Sequence, residues 1–550
     1  MAERLMGVES ELAFAAVDRA GQVIDIGRGV GRLLELARDR LKHLPGLGPL
    51  DMFLTNGSRL YADSGMHPES CTPEVANPWD AVRYVQANEN LLAGLLREMA
   101  REPQFAEASL YKCNVDYSGT NSTWGCHESY LHRADPRLLS GEIIPHLVSR
   151  VIYTGAGGFR TGSAGLEFTL SPRAAHMTRE VSDSSTYDRG IFHTKDESLS
   201  PEGYHRLHVL CGESLCSHAA MWLKMGATAV VVAMIEGGLR PGTGVRPRAA
   251  LSALHTFASD PTCTRTVQVA SGKSLTALQI QRHILELAEA HVADPFMPPW
   301  TAAVCRLWRA MLDRLEGGPQ AVATTLDWAI KLSLYRDWAQ REGVAWESLN
   351  DWAHVLNSLV AALAQTPFKD KSVTVEFALG PDSPIPDEVK RLGPYLAERG
   401  MNWNGLRPFV QLRPALFEAD TRFGQIGESG IFASLDRQGV LDHAVPDVDN
   451  DNIEHAMANP PAVGRAKIRG RVVRERSGGD GRYVCTWMKI VDLEHKRVLD
   501  LSDPFASEET WREADDQTVG VDLASLDLRM MEVLMSRRRR AAAGSERVVF

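Results

Sequence analysis

Polar and apolar residues alternate in several short stretches of this chain, and each such stretch predicts a strand with one chemical face. Residues 4 to 16 read as a strand carrying Glu9 and Glu11 on the same side. In Asn56-Gly57-Ser58-Arg59-Leu60-Tyr61-Ala62-Asp63, side chains two apart share a face. Arg59, Tyr61 and Asp63 therefore point one way, and Leu60 and Ala62 the other. Ser109 to Asp116 offers Lys112, Asn114 and Asp116 at alternate positions, and Tyr204 to Cys211 offers Arg206 and His208. Antiparallel strands with one polar face are the expected core.

From Ser274 to about Ala364 the period changes to that of helices, as in Leu278 to Leu287 and Leu326 to Leu332, which predicts a helical layer. A Pro/Gly-rich stretch from 367 to 408, with a strand signal at Ser372 to Phe377, reads as an insertion. Pro460-Pro461 marks a boundary between a large domain, 1–460, and a small C-terminal domain, 461–550. In the latter, Lys467 to Val473 and Tyr483 to Val491 are expected to pair as a hairpin across Ser477 to Gly481. Arg537 to Arg540 read as a basic tail after a helix end.

At 550 residues the chain can bury a large core, and its formal net charge of -10 argues against a general binder of nucleic acid or membrane surface. An anionic substrate would need a local basic site or a metal. The eight cysteines show no paired spacing, and the longest apolar run, Ala227 to Ile235, is about half of a membrane span. Reduced thiols, a cytoplasmic location and no membrane partner are expected.

Several motifs are weak. Gly27-Arg28-Gly29-Val30-Gly31 has the spacing of neither nucleotide loop and reads as an ordinary turn. Thr154 to Gly158 and Gly162 to Gly165 are loose glycine stretches that read as active-site loop. Asp447 to Asp451 lacks the glycine and distal Glu of a calcium loop and reads as a helix N-cap. Cys211 and Cys216, beside His208 and His218, lack a second ligand pair for zinc. The stronger constellation is Glu9, Glu11, Tyr61, Glu69, His127 and His208 with Arg59 and Arg206. Oxygen-rich ligation with few nitrogens suits magnesium, and neighbouring arginines suit phosphate oxygens.

The sequence resembles the Pup ligase and Pup deamidase (depupylase) family of glutamine synthetase-like carboxylate-amine ligases. The resemblance rests on Met6-Gly7-Val8-Glu9-Ser10-Glu11, Asn56 to Asp63, His67-Pro68-Glu69, and Leu110 to Asp116. It continues through Trp124 to Leu131, Lys195-Asp196-Glu197, Tyr204 to Val209, Leu326-Asp327-Trp328, Asn459-Pro460-Pro461, Trp487 and Asp503-Pro504-Phe505. It implies an α+β fold: a glutamine synthetase-like large domain with a mostly antiparallel, curved sheet backed by helices, plus the small C-terminal domain. It implies that Glu9, Tyr61 and Glu69 ligate Mg2+ with His127 and His208, Glu11 standing beside them. Arg59, Thr72 and Trp487 would contact ATP, with Arg206 at the phosphates, and Asp63 would be the catalytic carboxylate, kept ionised by nearby metal and arginine.

The activity so implied is ATP-dependent activation of a carboxylate as an acyl phosphate, followed by (iso)peptide bond formation with an amine. The donor would be a peptide or a small ubiquitin-like protein tag, the acceptor a lysine or other amine. The alternatives are a depupylase-like amidohydrolase using bound nucleotide, and an ATP-binding scaffold without catalysis. The short Glu11 to Asn56 segment favours the ligase branch; Val115 before Asp116, Thr154-Gly155 and Arg189-Gly190 favour the deamidase branch. Gly212-Glu213-Ser214-Leu215 departs from both, as does Cys113.

Overall fold

The computed structural model describes residues 4–514, apart from 64, 121, 162–165, 183–187, 194–202, 350–393, 395–396, 399–402 and 479–481. The expected 372–377 strand, most of the 367–408 insertion, the Gly162 to Gly165 stretch, the Lys195-Asp196-Glu197 block and the Arg537 to Arg540 tail lie outside the described residues. The last part of the expected insertion is the start of a helix, Trp403–Phe423.

The strands are β1 (Met6–Glu11), β2 (Ala13–Val17), β3 (His43–Pro45), β4 (Met52–Leu54), β5 (Arg59–Asp63), β6 (His67–Cys71), β7 (Glu107–Tyr111) and β8 (Cys126–His132), followed by β9 (Gly158–Phe159), β10 (Phe168–Thr169), β11 (Arg179–Ser182), β12 (Gly190–His193) and β13 (His205–Val209). Nine of them form one sheet in the order β11-β12-β13-β8-β1-β6-β5-β4-β3. Within it only the β11–β12 pair runs parallel. The large mixed sheet backed by helices agrees with the expected α+β, glutamine synthetase-like architecture.

Alternation along each strand decides what the sheet carries. Met6 and Val8 of β1, Tyr130 of β8 and Leu207 and Val209 of β13 enter one core with the helix His218–Glu236. Leu60 of β5 packs with Leu33 and Leu34 of the helix Ile26–Arg40 and Leu92 of the helix Pro78–Met99. Helices thus cover the even-numbered side of β1, β5 and β8, and the opposite side is left for chemistry. The apolar run Ala227 to Ile235 lies in the His218–Glu236 helix, which has the length and composition to cross a membrane but is 94% buried inside the protein.

Two expected strands are shorter than their patterns. The 4–16 pattern splits at Leu12, whose N–H donates to Pro68 O (2.9 Å), so β1 stays in the large sheet while β2 leaves to pair with β7. After Tyr111 the chain also leaves its strand. Lys112 pairs with Glu89 (2.6 Å), Asn114 bonds Ser214, and Asp116 closes its own turn, so none of the three joins the polar face.

The C-terminal region corrects a further expectation. Lys467 to Val473 is not a hairpin strand but part of a helix, Gly464–Arg476. Ile468 and Val472, one turn apart, bury with Val473 against Leu44 and Phe53 of β3 and β4. Burial on a helical face outweighs the β-branched local preference. The other half, Tyr483 to Val491, folds on itself as strands Tyr483–Cys485 and Lys489–Asp492. With Arg497–Asp500 and Trp511–Glu513 these make a four-stranded antiparallel sheet.

Candidate active site

The register of the large sheet aligns its polar side chains into rows. Glu9 lies opposite Cys71 on β6 and His127 on β8, and Glu11 opposite Glu69. On the next strand Arg59 faces Cys71, Tyr61 faces Glu69 and Asp63 faces His67. On the far side His208 pairs with Ser129 and Arg206 with Leu131. Paired residues of an antiparallel ladder share a face, so every one of these side chains stands on the side that the helices leave open.

Two donor groups result. One ligand atom each from Glu9, His127 and His208 lie within 4.8 Å of one another, and likewise from Glu11, Asp63 and Glu69. Among the described residues these are the only such groups, and Cys211, Cys216 and His218 form none. Glu9 and Glu11 are two residues apart on one strand, which sets the groups roughly 7 Å apart.

The first group is anchored by Arg206, which donates to Glu9 Oε1 (2.7 Å) and Ser129 Oγ (3.0 Å). Glu9 Oε2 lies 3.3 Å from His208 Nε2 and 3.6 Å from His127 Nδ1. Burial opposes ionisation of Glu9, but the charges of His208 and Arg206 and the two imidazole hydrogen bonds hold its carboxyl well below the usual range. Burial pushes the His208 imidazole down to about 4. At neutral pH the His208 imidazole is therefore neutral, and Arg206 is the cation that persists beside Glu9.

The second group is short of positive charge. Burial opposes ionisation of Glu11 too, yet the His67 hydrogen bond, the charges of His127 and Arg173 and the Gly125 N–H (3.1 Å) hold it at about 2. Glu69, 3% exposed, has its carboxyl pushed well up by burial and by the charges of Glu9 and Glu11. Burial, with Cys71, Glu69 and Glu9 beside it, raises the Tyr61 phenol, which stays protonated and bonds Glu69. A buried carboxylate cluster of this kind is stable with a cation among its oxygens. The second group offers carboxylate oxygens, the donors that magnesium takes, and the first a carboxylate with two imidazoles.

The expected roles map unevenly onto this geometry. Glu9, His127, His208, Glu11 and Glu69 are brought together as expected. Asp63, expected only as a base, is also a member of the second donor group, at its exposed edge. Tyr61 stands beside Glu69, with the Arg59 guanidinium 4.0 Å above its ring. Arg59 commits two N–H groups to Asp51 (2.8 and 2.9 Å), a partner that the strand pattern does not reveal.

Next to the first donor group, on the side away from Asp63, is a cavity of about 80 Å³. Gly7, Thr72, Leu131, Arg206 and Trp487 line it, with Pro504 and Arg465. The Thr72 hydroxyl accepts the Val8 N–H (3.0 Å), tying β1 to the end of β6 at the cavity wall. Trp487 is held edge-on to Phe53 (5.2 Å) and under the Arg469 guanidinium (4.6 Å). Glu74, also at this cavity, accepts from Arg465 (2.6 Å) and from Arg469, one helical turn apart, and so clasps the C-terminal region to the sheet. No local motif signals Glu74, Arg465 or Arg469; their sequence separation is nearly 400 residues.

The weak motifs resolve as structure. Gly27 to Gly31 lies in the first turns of the Ile26–Arg40 helix, capped by Asp25, rather than in a turn. A methyl on Gly29 would meet the Phe14 ring at 2.3 Å, so close packing explains that glycine. Asp449 is a helix N-cap, accepting the Asn452 N–H (2.9 Å).

Known proteins extend this picture. The Pup-ligase protein family matches residues 6–357 and 395–491. A Pup–protein ligase of Acidimicrobium ferrooxidans is 30% identical over 523 residues, 92% of this chain and 97% of its own. A depupylase of Acidothermus cellulolyticus is 38% identical over 310 residues, and there the chain spans only 61% of the relative's length. The crystal structure of the ligase PafA in complex with the ubiquitin-like protein Pup matches with a TM-score of 0.69 at 22% identity, covering 99% of this chain and 95% of that one. PafA in complex with ADP matches with a TM-score of 0.64 at 22% identity, covering 93% of this chain and 95% of that one. The family match runs through both donor groups, the cavity and Trp487, and on that ground the chain belongs to the Pup-ligase protein family.

Proposed function

We propose that the protein is an ATP- and Mg2+-dependent carboxylate-amine ligase that joins the carboxylate of a small ubiquitin-like tag to a lysine or similar amine. The observation that carries this reading is the order of parts along one sheet face: the cavity lined by Thr72, Arg206 and Trp487, then Glu9/His127/His208, then Glu11/Asp63/Glu69. Trp487 and Thr72 would hold the nucleoside end of ATP, and Arg206 its phosphates, beside the two donor groups. The two donor groups, Glu9/His127/His208 and Glu11/Asp63/Glu69, would hold magnesium, which would supply neutralisation of charge on the transferred phosphoryl group. The tag carboxylate attacks that phosphorus, giving an acyl phosphate and ADP. Asp63, at the exposed edge, takes the proton of the incoming amine, whose nitrogen attacks the acyl carbon. Phosphate leaves and an amide remains. Arg59, fixed by Asp51, holds the Tyr61 ring against Glu69.

A ubiquitin-like donor is supported by the fold shared with a ligase solved together with Pup. The eight cysteines are free thiols, which supports a reducing, cytoplasmic setting. A depupylase-like hydrolysis is the second reading, favoured by the higher identity to the depupylase over 310 residues. Asp63→Asn is expected to retain nucleotide binding and to abolish product formation, read by intact mass of the amine acceptor and by ADP release. An added tag mass supports ligation, a freed tag supports hydrolysis, and undiminished turnover in Asp63→Asn refutes the catalytic assignment.

A further inference from the structure

Arg173 is 2% exposed and makes no ion pair among the described residues. A buried guanidinium without a carboxylate partner is costly, so its position calls for a reason. Its Nη1 donates to Thr123 Oγ1 and its Nη2 to Leu210 O, both at 3.0 Å. Thr123 lies just before β8, which carries His127; Leu210 follows β13 directly, which carries His208. One side chain therefore ties together the ends of the two strands that supply both histidines. It also lies close to the donors themselves. A methyl on Gly125 would sit 2.4 Å from His127 Nε2 and 3.1 Å from Arg173 Nη2, and the same Gly125 N–H is the one that Glu11 accepts.

What aims Arg173 is Glu213. Glu213 is 2% exposed, and its carboxylate accepts from the Arg173 N–H (2.9 Å), Ser171 Oγ (2.8 Å) and the Ala156 N–H (2.8 Å). Its backbone is pinned as well, because Lys224 Nζ donates to Glu213 O (2.9 Å). The preceding Gly212 packs so tightly that a methyl there would lie 2.2 Å from Cys126 O, and the Cys126 N–H donates to Gly212 O (3.2 Å). The Ser171 to Arg173 turn is thus built on a carboxylate that is itself fixed against the first residue of β8.

We propose that Glu213 and Arg173 act as one positioning unit for the metal platform, Glu213 setting the turn and Arg173 setting the spacing of His127 and His208. The inference rests on the reading of Glu9, His127 and His208 as metal ligands. Neither residue touches substrate. Supporting residues of this kind typically change metal affinity 10- to 100-fold when lost, through ligand geometry rather than ligand number.

Mn2+ titrated into the full chain and followed by electron paramagnetic resonance of the free ion tests both levels. Binding of a fluorescent ADP analogue in EDTA reports the cavity, which this unit does not line. Arg173→Lys keeps the charge and loses the two-pronged hydrogen bonding. It is expected to weaken Mn2+ binding about 10-fold while metal-free nucleotide binding stays within about 2-fold. Wild-type Mn2+ affinity in Arg173→Lys overturns the inference while leaving the platform intact. Absence of Mn2+ binding by the unaltered chain overturns the platform reading and the inference with it. If Arg173→Lys does not fold, Glu213→Asp, whose shorter side chain withdraws the acceptor from the turn, carries the test with the same criteria. In the double variant the losses should fail to add, since both act through one turn; additive losses would show two independent residues and reject the unit.

Discussion

Glu69 and Glu128 are both buried glutamates of the same sheet, and they illustrate two opposite uses of the same group. Glu128, on the helix-facing side of β8, is fully buried and bonded bidentately to Arg150 (2.6 and 2.8 Å), with the Tyr130 hydroxyl at 2.6 Å and Lys224 at 3.8 Å. Burial opposes its ionisation, but the charges of Arg150 and Lys224 hold its carboxyl below the usual range. Glu69, on the open side, meets further carboxylates instead of cations, and its carboxyl is pushed up. A compensated carboxylate is part of the framework. An uncompensated cluster fixed by the same framework is a place for a cation.

Breaking the compensated side should have the largest effect on stability. Arg150→Ala leaves Glu128 buried with only Lys224, at 3.8 Å, as a cationic partner, and is expected to cost about 3–5 kcal/mol in denaturant unfolding. Glu69→Gln should do the reverse. It removes the repulsion and should leave the metal-free fold as stable as before, and it should abolish the rise in melting temperature expected when Mn2+ is added to the unaltered chain. A Glu69→Gln variant still stabilised by Mn2+ would contradict the contrast.

Glu74 sharpens the comparison as a carboxylate compensated across the two regions of the chain. Burial opposes its ionisation, but Arg469 and Arg465 hold it at about 2, below an unfolded value near 4.5. A depressed carboxylate contributes stability above its unfolded pKa and loses it as pH falls through the folded one. The clasp should therefore weaken between pH 4.5 and 2, by about 3 kcal/mol in total. Glu74→Gln should flatten that acid dependence in unfolding experiments. At the small end, Asp449 is exposed and only caps a helix, so Asp449→Ala is expected to cost about 1 kcal/mol by thermal unfolding, with metal binding unchanged.

Much of the site was legible because a strand's period is local. Arg59, Tyr61 and Asp63 share a face for the same geometric reason as Glu9 and Glu11, and that reason holds wherever the strand is placed. Legibility ended where a pattern outran its element. Lys112, Asn114 and Asp116 keep the alternation of a strand that stops at Tyr111, and each finds a partner elsewhere. Lys467 to Val473 fits a strand by residue type and a helix by burial, and contact with β3 and β4 chose the helix. Asp51, Glu74 and Arg173 carry no local signal, since each matters through a partner distant in sequence or on another strand.

From its sequence alone the chain determined its strand faces, the donor residues on them and its family, because side-chain alternation and the order of motifs need no knowledge of neighbours. Only the tertiary structure decided that the donors divide into two groups, that Asp63 joins one of them, and that Arg59 is held by Asp51. It also decided that Glu213 and Arg173 brace the histidine strands. Those outcomes depend on register between strands and on which buried charge meets which, and both are set by packing across the whole fold.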